Sequence, residues 1–267
     1  MKKIFLGLLL FGATGVTAQA QQGRPATPNA AQAAQNSTPR EEVRNIPGGR
    51  TINPDQVTTT THEVTIRGAK VPYKAMTGTM PVWDEEGKPI AGIFYTYYER
   101  TDVSNRDARP LVISFNGGPG SASVWMHLAY TGPAVLKIDD EGYPIQPYGY
   151  KDNPHSILDV ADIVYIDPVN TGYSRTTSKD VQTNRFFGVR QDIRYLAEWL
   201  NTFVTRNNRW ASPKYLVGES YGTTRVSGLA LELQSNQWMF LNGVILVSPT
   251  DLGIERSGPV AQALKLP

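Results

Sequence analysis

The 267 residues include 26 basic and 24 acidic side chains, a formal charge of +2, and no cysteine. Without Cys there is no disulfide frame, thiolate zinc site, cysteine-ligated iron-sulfur cluster or cysteine nucleophile, and His62, His127 and His155 are too scattered to offer a metal-ligand pair. The length suits one large domain or two small ones with a sizeable core, and a hydrophobic share of 40% against 19% charged residues excludes a disordered, collagen-like or membrane-embedded chain.

At the start of the chain Lys2 and Lys3 precede an apolar run over positions 4–13, and Ala18-Gln19-Ala20 has the small-x-small form of a signal-peptidase site. Residues 1–20 are therefore expected to be a signal peptide, the apolar run being far short of the ~20 residues that a spanning helix needs. Cleavage takes two of the 26 basic residues, leaving 24 against 24 acidic ones, and no block of five basic residues stands elsewhere. An exported protein, periplasmic or extracellular, is expected, with no nucleic acid and, after cleavage, no membrane as partner. Positions 21–45 contain no aromatic residue, Ile, Leu or Met. Such a composition cannot offset its ordering entropy, so 21–56 is read as a tether, and the folded part is expected from 57 to 267.

Runs rich in Thr, Val and aromatic residues at 58–66, 71–80 and 90–98 are separated by turn residues, which predicts an antiparallel meander. After Pro110 the pattern changes. Short apolar runs at 111–115 and 163–166 read as buried strands, and Val189, Ile193, Leu196, Leu200 and Phe203 recur at helical spacing. A strand at 214–217, a helical pattern through Val226, Leu229 and Leu233, and a strand at 243–247 complete the series. Alternating helices and buried strands predict an α/β fold with a mostly parallel sheet and an antiparallel start.

Two motifs carry chemistry. Gly218-Glu219-Ser220-Tyr221-Gly222 lies between a strand and a helix, where flanking glycines permit a sharp turn that lifts a serine hydroxyl above the sheet edge. The Tyr221 amide then faces the same space, suited to an oxyanion. Asn116-Gly117-Gly118-Pro119-Gly120 follows a buried strand and leaves backbone amides unobstructed. It lacks the Lys-Ser/Thr of a P-loop and the spacing of a dinucleotide loop. Taken alone, either motif is also compatible with a plain turn.

Together with Thr131-Gly132-Pro133, Asn153-Pro154-His155-Ser156 and Ile166-Asp167-Pro168-Val169-Asn170-Thr171-Gly172-Tyr173-Ser174, these motifs stand in an order that resembles the serine carboxypeptidases, peptidase family S10 of the α/β-hydrolase fold. The resemblance runs from about Val64 to the C-terminus. Prolyl aminopeptidases share a Gly-Gly-Pro-Gly loop, but Asn116 and Glu219 favour the carboxypeptidases. The resemblance implies Ser220 as nucleophile, the amides of Gly118 and Tyr221 as oxyanion hole, and Asn116, the Gly117 amide and Glu219 as the site for the substrate's terminal carboxylate. It implies a peptide with a free C-terminus as partner and neither metal nor other cofactor. Glu219 facing a second carboxylate would share a proton with it, implying a preference for acid pH. The sequence departs from the family pattern at Ser121, where Cys is usual, and at Tyr130, where a second Glu is frequent.

In α/β-hydrolases the triad runs Ser, then Asp or Glu, then His along the chain. All three histidines here precede Ser220, and each is expected to be structural. The chain is accordingly read as the N-terminal part of a carboxypeptidase, with the C-terminal part of the fold missing and the 267 residues inactive alone. The alternatives are a non-catalytic carboxylate-binding or peptide-binding protein and an esterase.

Overall fold

A computed structural model of the protein describes residues 52–250; the expected signal peptide, most of the expected tether and positions 251–267 lie outside the described residues. The described chain opens with a meander of β1 (Gln56–Ile66), β2 (Ala69–Trp83) and β3 (Pro89–Arg100), paired antiparallel. The first turn is Arg67-Gly68, both at positive φ, with Ile66 paired to Ala69. It is a two-residue hairpin turn whose twist suits the strands. Ala69 and Lys70 already belong to β2, so the turn is confined to Arg67 and Gly68.

Next come β4 (Leu111–Phe115), a separate small hairpin of β5 (Ala134–Leu136) and β6 (Tyr150–Asp152), then β7 (Asp162–Ile166) and β8 (Arg175–Thr176). Helix α1 (Val189–Arg206), β9 (Lys214–Glu219), α2 (Tyr221–Asn236) and β10 (Gly243–Val247) follow. The main sheet has the order β1-β2-β3-β7-β4-β9-β10, with β8 beside β3. β7, β4, β9 and β10 are mutually parallel. From β4 the chain passes to β7 on one side, and from β7 through α1 to β9 on the other. Such a switch of winding direction opens a crevice at the strands' C-terminal ends.

Side-chain alternation assigns the two faces. Leu111, Ile113 and Phe115 of β4, Val164 and Ile166 of β7, and Leu216 of β9 pack with α1 and α2. Val112, Ile163, Tyr165 and Val217 point the other way, into a second core with Val64, Ile66 and Val71. The central strands are buried on both faces, which is why they read as continuous apolar runs. Helix α1 buries Tyr195, Leu196, Trp199, Leu200 and Phe203, and Trp199 Nε1 donates to the Met80 carbonyl at 3.1 Å.

The expected tether needs correction at its end. Arg206 makes a two-pronged ion pair with Asp55 at 2.8–3.0 Å, and Thr79 Oγ1 donates to the Asn53 carbonyl at 2.6 Å. Residues 52–56 are therefore fastened to α1 and β2, through side chains distant in sequence, and the fold begins before position 57.

Candidate active site

β4 and β9 are neighbours, with Phe115 in register with Gly218. The two loops singled out from the sequence therefore leave the sheet side by side. Ser220 stands between β9 and α2 at φ 57°, ψ −126°, a backbone region that L-residues rarely adopt. Holding a non-glycine residue there costs on the order of 1–3 kcal/mol, and such strain collects at functional turns. The elbow is fixed from both sides: the Ser220 amide donates to the Val247 carbonyl at 3.0 Å, and the Thr223 amide and hydroxyl donate to the Ser220 carbonyl at 2.9 and 2.7 Å.

The glycine loop rests directly on this turn. A Cβ added at Gly117 would lie 2.5 Å from the Tyr221 nitrogen, 2.7 Å from the Glu219 carbonyl oxygen and 2.9 Å from Ser220 Cβ. No side chain fits there. Gly118, at φ 108°, is tightly folded over the amides of Gly120 and Ser121. Tyr221 is the first residue of α2, where the amides have no intrahelical acceptor. The fold thus gathers Gly117, Gly118, Ser220 and Tyr221 in one place.

Asn116 and Glu219 meet as well. Asn116 Nδ2 donates to Glu219 Oε2 at 3.0 Å, while Asn116 Oδ1 accepts from the Met126 amide at 2.9 Å. Both ends of the amide are used, so it cannot flip without losing a bond. Met126 opens a single π-helical turn (Met126–Thr131). Tyr130 on this turn is exposed. The Thr131-Gly132-Pro133 and Asn153-Pro154-His155-Ser156 motifs lock this segment: Asn153 Nδ2 donates to the carbonyls of Tyr130 and Gly132, both at 2.8 Å, and Ser156 Oγ to that of Thr131 at 2.8 Å.

Behind the loops lies a polar layer for which sequence reasoning had no role. Ser123 donates from its amide to Asp167 Oδ1 at 2.9 Å, and burial pushes the Asp167 carboxyl above the usual range. Asp192 of α1 pairs with Arg225 of α2 at 2.7 Å, both buried. The Asp192 carboxyl is likewise raised, burial outweighing the pull of Arg225. The available signal was positional: Asp192 shares the stripe of Leu196, Trp199 and Phe203, and Arg225 that of Leu229 and Leu233, so both fall where apolar residues are expected.

Among the described residues no histidine is hydrogen-bonded to Ser220. His62 Nε2 lies 2.7 Å from Thr60 Oγ1, and the His155 backbone amide donates to Asn153 Oδ1 at 3.0 Å. His127 stacks on Tyr165 at 4.5 Å and its Nε2 is 2.7 Å from the Tyr98 hydroxyl. Burial lowers its pKa to about 4. The unfolded chain takes up this proton near the ordinary value of about 6.5, so the contribution is full above that pH and is lost as pH falls through the folded value. His127 is expected to cost the fold up to about 3 kcal/mol between pH 7.5 and pH 4. Urea unfolding at both pH values should show a smaller acid loss for His127→Gln than for the parent; equal losses would refute it.

A serine on a strained strand-to-helix turn, beside a glycine loop from the neighbouring parallel strand, defines an α/β-hydrolase site. The serine carboxypeptidase profile matches residues 66–249, and the chain belongs to that family. Serine carboxypeptidase-like 16 of Arabidopsis thaliana is 28% identical over 201 residues, covering 71% of this chain and 43% of the relative. Carboxypeptidase Y of Schizosaccharomyces pombe is 26% identical over 237 residues, 84% of this chain and 21% of the relative. In fold, the chain is similar to a prohormone-processing carboxypeptidase from Saccharomyces cerevisiae, with a TM-score of 0.55 and 20% identity over 66% of this chain and 39% of that one. The chain spans less than half the length of each of these proteins.

Proposed function

We propose that the protein is an exported serine-type carboxypeptidase that releases C-terminal residues from peptides through an acyl-enzyme at Ser220. The observation that carries this reading is the bonded Asn116–Glu219 pair beside the elbow. That pair, with the Gly117 amide, suits a carboxylate one residue beyond the scissile carbonyl. In the reaction the Ser220 Oγ attacks that carbonyl and gives up its proton to a base. The oxyanion is met by the amides of Gly118 and Tyr221, and collapse breaks the C–N bond as the amine leaves with a proton. Water then hydrolyses the ester. Export rests on Lys2, Lys3, the apolar run and Ala18-Gln19-Ala20. Among the described residues no helix is long and apolar enough to cross a membrane.

The substrate class is tested with the intact protein, N-acetyl-Phe-Leu and its C-terminal amide. Because a site built around hydrogen bonds to a charged group rejects an analogue that lacks it, kcat/KM for the free acid is expected to exceed that for the amide by about tenfold or more. Equal rates would refute carboxylate recognition. Binding of the acid without turnover would support a non-catalytic peptide-binding protein, and hydrolysis of simple esters alone an esterase.

A further inference from the structure

Arg225 touches both halves of the site from beneath. It is 2% exposed, its Nε pairs with Asp192 Oδ2 at 2.7 Å, and its Nη1 donates to the Asn116 carbonyl at 2.9 Å. Its guanidinium carbon lies 5.6 Å from the ring centroid of Phe115 and 5.3 Å from that of Tyr221, the residues just before Asn116 and just after Ser220. A planar guanidinium presents several donors in a fixed fork, so one group can answer a carboxylate and a carbonyl at once. Asp192 is itself held, with its Oδ1 3.4 Å from the Tyr195 hydroxyl, which accepts from the Val169 amide at 3.1 Å.

The Asn116 carbonyl and the Gly117 N–H belong to one peptide unit, which is trans. In a planar trans peptide these groups point in opposite directions. Drawing the carbonyl onto Arg225 therefore turns the Gly117 N–H to the side opposite Arg225. Among the described residues that N–H has no acceptor.

We propose that Arg225, held by Asp192, is a positioning residue that sets the Asn116-Gly117 peptide and so aims the Gly117 amide at the terminal carboxylate of the substrate. The proposal rests on the carboxypeptidase reading above and predicts a selective effect. Without Arg225 the loop keeps its glycines and Ser220 keeps its turn, but the carboxylate loses an aligned donor. Affinity for the free acid falls, and that for a ligand with no carboxylate hardly changes.

The test measures binding of N-acetyl-Phe-Leu and its C-terminal amide by calorimetry in a Ser220→Ala background, which prevents turnover. The parent background is expected to prefer the acid by about tenfold or more, and Arg225→Met to lose at least about fivefold of that preference with the amide Kd changed less than about twofold. A background with no acid preference would refute the carboxylate reading itself. A background that prefers the acid, with Arg225→Met preferring it equally or weakening acid and amide alike, would overturn the positioning role alone. If Arg225→Met shows no cooperative unfolding, Arg225→Lys replaces it. An ammonium keeps the charge beside Asp192 without the fork, so a loss of preference of about threefold is expected, and an unchanged preference would overturn the proposal.

Discussion

Replacing Ser220 by alanine is expected to lower kcat for N-acetyl-Phe-Leu in the intact protein by about 10⁴-fold or more, with stability changed by less than about 1 kcal/mol. The first half follows from the chemistry: the elbow presents one hydroxyl, and without it no ester can form. The second half follows from local structure. Among the described residues the Ser220 hydroxyl has no hydrogen-bond partner, and the bonds that hold the turn run through its amide and carbonyl, which alanine retains. Glycine at the same position separates activity from strain. It loses activity as alanine does, but it tolerates φ 57°, ψ −126° without a Cβ penalty, and unfolding in urea should show a gain of about 1 kcal/mol. Turnover in Ser220→Ala within about tenfold of the parent would refute the nucleophile assignment.

The parts of this protein that were legible in the sequence are those governed by local rules. The strands at 111–115 and 163–166 and the stripe of Leu196, Leu200 and Phe203 on α1 appear where the pattern put them, because burial on both faces leaves a continuous apolar run and burial of one helix face leaves a stripe. Val189, at the head of that stripe, is exposed. The elbow and the glycine loop were legible because backbone geometry restricts which residues can stand there. Contacts between distant segments were not. Nothing local tells that Asp55 will meet Arg206, so residues 52–56 read as tether. Nor does anything local pair Asp192 with Arg225; each is a single charge interrupting an apolar stripe, and only the packing of α1 on α2 brings them together. The π-helical turn at Met126–Thr131 escaped for a similar reason. Its boundaries are set by Asn116, Asn153 and Ser156, side chains from other parts of the chain that capture its amides and carbonyls.

At the opposite end of the parallel strands from the candidate site, Asp162→Ala is expected to destabilise the fold by about 3–5 kcal/mol. Asp162 is fully buried at the start of β7, where its Oδ1 accepts from Arg109 Nε at 2.7 Å and from the Arg100 amide at 2.9 Å, and its Oδ2 accepts from Arg209 Nη1 at 2.6 Å. Both arginines are buried, and Arg209 also donates through Nη2 to the Arg109 carbonyl at 2.9 Å and through Nε to Ser212 Oγ at 2.7 Å. One carboxylate thus lies between two guanidinium groups. Whether such a cluster stabilises the fold relative to an apolar core is a separate matter, since desolvating three charges is costly. Removing one member is less ambiguous, because two like charges are left buried close together, and the nearby acid, Glu99, is already paired with Arg106. A loss of this size is a large share of the 5–15 kcal/mol that holds a typical domain. Asp162→Asn, which preserves shape and some hydrogen bonding but not the charge, should lose less. Urea unfolding of both variants at neutral pH gives the comparison. If Asp162→Ala costs under about 1 kcal/mol, the two arginines must reach solvent or another acid, and the cluster does not carry the strand ends as its geometry implies.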